Sequence, residues 1–93
     1  MQGAKMALPA MVVGEVTEVE LLPRHLVVHS RSWVRGGQEL NLRVGVIDQT
    51  SIREGRVIRH LSDIRVGDKV WLKYERKDGT LVAESICIKS RAQ

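Results

Sequence analysis

Asp78-Gly79 constrains this chain more than any other pair of residues. It separates two runs, residues 69–76 and 80–88, that both read as strands. In the first run Val70, Leu72 and Tyr74 alternate with Trp71, Lys73 and Glu75, the period of two expected of a strand with one buried face. A type I′ turn needs positive φ at both central positions, and Asp-Gly supplies it readily. A two-residue turn sets Lys73 opposite Glu84 and Trp71 opposite Ile86, and the opposite charges of the first pair favour that register. The same register sets Tyr74, Leu72 and Val70 against Ala83, Ser85 and Cys87, while Val82, Ile86 and Ile88 face the other way. One half-buried strand cannot have two cores, so a β-bulge near Glu84-Ser85 or a longer loop is predicted. Upstream, Val66-Gly67-Asp68 reads as a turn, with Gly67 free to take positive φ.

Residues 11–22 carry valines on both parities with Gly14 between them, which predicts a first strand that bends strongly. Pro23-Arg24 turns the chain. In the second strand Leu26 and Val28 share a face with Ser30 and Ser32, and Val27, His29, Arg31, Trp33 and Arg35 line the other. After Gly36-Gly37, residues 39–47 form the clearest amphipathic strand, with Leu40, Leu42, Val44 and Val46 on one face and Asn41 and Arg43 opposite. Val57, Ile58, Leu61 and Ile64 then recur at helical spacing, which predicts one short helix or helical turn within 56–64. Phe is absent and only Trp33, Trp71 and Tyr74 are aromatic, so Val, Ile and Leu must fill the interior.

The fold class expected is therefore all-β: a small five-stranded OB-like barrel with one short helix between the third and fourth strands. Residues 11–90 form a single domain and residues 1–10 a loose N-terminal arm. An SH3-like barrel is the alternative, and it requires residues 52–64 to be plain turn.

The pattern Gly14-x-Val16-Thr17-x-Val19, Thr50-x-Ile52, Leu61-x-x-Ile64-x-Val66-Gly67-Asp68-x-Val70 and Asp78-Gly79-Thr80-Leu81-Val82-Ala83-x-x-Ile86 resembles an uncharacterised bacterial family of small β-barrel domains of unknown function. The resemblance implies the barrel and carries no activity or site residues with it. It also implies export, because many members are exported. Residues 6–13 are too short and poorly flanked for a signal peptide, so the default expectation from the sequence itself is cytoplasmic.

Cys87 is alone, which excludes an internal disulfide and a multi-cysteine zinc site. No run of about 20 apolar residues offers a membrane span. His25 and His29 are four apart, but four residues of strand set side chains about 13 Å apart, too far for a shared metal ion. Glu18 and Glu20 share a strand face with like charge, as exposed residues do. No nucleophile–base motif and no phosphate-cradling loop is present. The chain therefore reads as a non-enzyme, with no catalytic, cofactor or metal residues and no cofactor.

The net charge of +4 lies wholly between Arg24 and Arg65, where eight arginines face Glu39, Asp48, Glu54 and Asp63. The candidate ligand face is His29, Arg31, Trp33 and Arg35, with Arg43 on the neighbouring strand. The function expected is a non-catalytic binding or interaction module whose partner is a protein or a second copy of the chain. The alternative is single-stranded nucleic-acid binding, with arginines on phosphate and Trp33 under a base.

Overall fold

The computed structural model describes residues 10–31 and 39–92, with Arg31 described through its backbone. The expected arm lies mostly outside these residues. Among the described residues, seven strands form one sheet: β1 (Ala10–Leu21), β2 (Arg24–Arg31), β3 (Glu39–Gly45), β4 (Ser51–Glu54), β5 (Val57–Ile58), β6 (Lys69–Lys77) and β7 (Thr80–Ser90). Their order is β3-β2-β1-β6-β7-β4-β5, and a parallel pairing of Gly45 with Val82 joins β3 to β7. That pairing closes β1, β2, β3, β7 and β6 into a five-stranded barrel, the architecture expected.

The hairpin forms where Asp-Gly dictates. Asp78 has φ 53° and Gly79 φ 83°, and Lys77 pairs with Thr80. The bulge also forms: the register passes from Tyr74↔Ala83 to Lys73↔Ser85. Below it Leu72 pairs with Ile86 and Val70 with Ile88, so four aliphatic side chains share the buried face. Trp71 consequently faces Cys87, not Ile86, on the outer side. Lys73 still reaches the bulged Glu84 at 4.0 Å.

β1 bends as its glycine and mixed parity predict. It pairs with β6 through residues 10–15 and with β2 through residues 15–21, with an irregularity between Val16 and Glu18. At the bend the Val16 N–H donates to the Asp68 carbonyl (2.8 Å) and the Gly67 N–H donates to the Val16 carbonyl (2.8 Å). Gly14 allows strands to approach closely, since a Cβ there would lie 2.4 Å from the His29 carbonyl oxygen.

The interior is aliphatic, as composition requires: Val16, Leu26, Val28, Val44, Val70, Leu72, Ile86 and Ile88 are its main members. Burying such side chains contributes about 1.5–3 kcal/mol each. The expected helical turn forms between the third and fourth barrel strands, as a short 3-10 turn. Gly55 at φ 62° turns β4 back into β5, and only Leu61–Asp63 coil, as a 3-10 turn. Leu61 and Ile64 reach the core, but Val57 and Ile58 are exposed on the short strand. Pairing of Ile52 with Ile86 ties β4 to the barrel, and Val57 and Ile58 pair with β4 as a strand, so the helical turn starts only at Leu61.

A polar cluster fastens the C-terminal end. Asp68 is fully buried and accepts hydrogen bonds from the Arg65 N–H (2.9 Å), the Ala92 N–H (2.7 Å) and the Arg91 guanidinium (3.1 Å). Burial alone would raise its pKa, but these donors outweigh it and hold the carboxyl below its usual value. Arg91 also donates to Glu54 at 2.9 Å; this bond, with help from Arg59, lowers the Glu54 pKa despite some opposing burial.

Candidate functional site

The turn at Leu22-Pro23 pairs Leu21 with Arg24 and therefore Glu20 with His25. Glu18, two residues back from Glu20, stands on the same face of β1. Three side chains thus converge beside the turn. His25 Nε2 lies 3.4 Å from Glu18 Oε2 and 3.8 Å from Glu20 Oε1, and one ligand atom from each residue falls within 4.8 Å of the others. The carboxylates are about half exposed, whereas the His25 side chain is 7% exposed. On its other flank His25 pairs with Gly45, which has no side chain, and both line a cleft with Leu81 and Val82. The imidazole is therefore held in a fixed place, and the glutamates are free to adjust.

Three donors on a tetrahedral zinc ion, at bond lengths of about 2.0–2.1 Å, stand roughly 3.3–3.4 Å apart. The shorter separations here are close to that, and rotation of the two glutamates closes the rest. The donor set is one imidazole nitrogen and two carboxylate oxygens, with a side left open for water. Such donors suit divalent ions of hard or borderline character, whereas Cu(I) and Ag(I) prefer sulfur. Cys87, half-buried on β7, belongs to no such cluster among the described residues.

Sequence reasoning missed this group because it weighed His25 only against His29, and Glu18 only against Glu20. The signal was available: a turn centred on Leu22-Pro23 places residue 20 opposite residue 25.

The expected ligand face is described only in part. Trp33 and Arg35 lie outside the described residues, and Arg31 is placed by its backbone opposite Glu39. His29 and Arg43 both sit on the outer face of β2–β3, yet they do different things. His29 Nδ1 lies 3.1 Å from Asn41 Oδ1, and Nε2 lies 3.8 Å from Glu39 Oε1. Arg43 lines the cleft between the β1–β2 and β6–β7 turns together with Arg24 and Arg76. No aromatic side chain is among the described residues of that cleft, so base stacking finds no platform there. Trp71 is on another side of the barrel, 44% exposed, with Lys89 Nζ 4.6 Å from its ring centre.

No protein-family model and no curated protein sequence matches the chain, so the resemblance to the uncharacterised family is supported in its fold alone. Solved structures do match. CusF with bound Ag(I) aligns with TM-score 0.67 at 17% identity, covering 87% of this chain and 97% of CusF. Apo-CusF from Escherichia coli aligns with TM-score 0.66 at 18% identity, covering 97% and 100%. A tryptophan-to-alanine CusF with Cu(II), also from Escherichia coli, gives 0.67 at 16% identity over 97% and 100%. At this identity the likeness is one of fold: the chain is a small closed β-barrel built like CusF.

Proposed function

We propose that this chain is a non-catalytic β-barrel module that binds a divalent metal ion of borderline hardness, Zn2+ or Cu2+, between Glu18, Glu20 and His25. The observation that carries the reading is the convergence of a buried, fixed imidazole nitrogen with two adjustable carboxylates. The likeness to a barrel whose structures hold Ag(I) or Cu(II) supports metal binding as a use of this fold. The donors argue against Ag(I), since nitrogen and oxygen favour divalent cations. Exposed Met11, Val13 and Trp71 on the outer side of β1 and β6 fit the expected protein or self-association partner.

Isothermal titration with ZnCl2 and CuCl2 tests the reading. Wild type binds one ion per chain, AgNO3 binds more weakly, and both Glu18→Gln/Glu20→Gln and His25→Gln weaken Zn2+ at least about tenfold. Absence of binding, or affinity unchanged in both variants while circular dichroism shows an intact barrel, overturns it.

A further inference from the structure

The β1–β2 turn, the β6–β7 turn and the end of β3 enclose an open cleft of about 680 Å³. That is within the size range of small-molecule sites. Its walls are largely apolar, from Pro23, Ile47, Leu81 and Val82. Gly45 keeps it deep: a Cβ built there meets only the Leu81 carbonyl oxygen, at 3.7 Å. Three arginines stand around this apolar surface. Arg24 is paired with Asp48 at 3.0 Å, on a carboxylate 93% exposed. Arg43 and Arg76 form no ion pair among the described residues. Two exposed guanidinium groups with no ion-pair partner among the described residues, set beside an apolar wall, suit a ligand with one anionic end and one apolar end. The planar donor fork of arginine matches a carboxylate in two-point contact.

We propose that this cleft binds a small organic carboxylate with an apolar body. Arg43 and Arg76 hold the carboxylate, and the body lies over Gly45 against Ile47 and Leu81. The site is independent of the metal reading. His25 contributes to the cleft wall but turns Nε2 toward Glu18 and Glu20.

Octanoate is the probe, with acetate and octanol as controls, titrated without added metal and followed by amide chemical shifts. The expected result is saturable shifts at Gly45, Ile47 and Leu81, with octanoate at least tenfold tighter than either control. Arg43→Ala/Arg76→Ala weakens octanoate at least tenfold and leaves octanol unchanged. Gly45→Leu, at a position with ordinary φ, fills the cleft and abolishes the shifts while both arginines remain. Octanoate shifts centred elsewhere, no saturation, or full binding in Arg43→Ala/Arg76→Ala overturns the proposal. Because no metal is present, these outcomes leave the Glu18–Glu20–His25 reading to its own test.

Discussion

Replacing Asp68 with Asn tests how the barrel is held at its bend. The side chain keeps its shape but loses its charge, and it can no longer satisfy three donors. One amide oxygen can serve the Arg65 or the Ala92 N–H, and the amide NH2 then points at another donor. A hydrogen bond to a charged group is worth about 1.5–3 kcal/mol, and breaking a buried ion pair costs about 3–5 kcal/mol. Arg91 keeps 33% of its side chain in solvent and can recover some hydration, so the lower part of that range applies. We expect a loss of about 2–4 kcal/mol, or roughly 10–25 °C in Tm for a domain of this size. Urea unfolding followed by tryptophan fluorescence and far-ultraviolet circular dichroism measures it. The acid limb gives a second check. The Asp68 pKa is lower folded than its usual 3.8, so its contribution is full above about pH 4 and is lost as pH falls through the folded value. Wild type should therefore lose stability more steeply than Asp68→Asn below pH 4. A loss smaller than about 1 kcal/mol, with parallel acid limbs, would refute the argument that this carboxylate fastens the bend.

Two further outcomes follow from packing. Gly14→Ala drives a methyl into the His29 carbonyl and the Val28 side chain, at 2.4 and 2.6 Å, and costs at least about 1–3 kcal/mol by equilibrium unfolding. Leu72→Ala, in the core, costs about 2–5 kcal/mol, whereas Trp71→Ala, one residue away on the outer face, costs less than about 1.5 kcal/mol; reversal of that order in thermal melts contradicts the bulged register.

How much of this could be read from the residues alone varies by element. The β6–β7 hairpin was legible twice over, because Asp78-Gly79 fixes the turn and the aliphatic pattern on either side cannot be satisfied without an extra residue. The bend of β1 was legible in Gly14 and its mixed valines. The helical turn within 56–64 was legible in part: Leu61 and Ile64 reach the core as the spacing predicts, whereas Val57 and Ile58 belong to a short exposed strand before the 3-10 turn. Gly55 at positive φ decided the matter, and a lone glycine does not announce which turn it serves. The glutamate–histidine group was hidden by reading strands singly, when its members meet across a turn. The cleft was further out of reach: Arg43 and Arg76 are brought together only by closure of the ring, which no local pattern encodes.

That closure has an uneven cost around the circumference. Between its other neighbours the barrel is joined along most of a strand, but among the described residues β3 meets β7 at the single pair Gly45↔Val82. Opening there breaks the fewest ladder bonds, so amide exchange without global unfolding should begin at this joint. The same two residues line the cleft proposed for a carboxylate, so a guest lying across them would act as a clasp and slow the breathing of the whole cylinder.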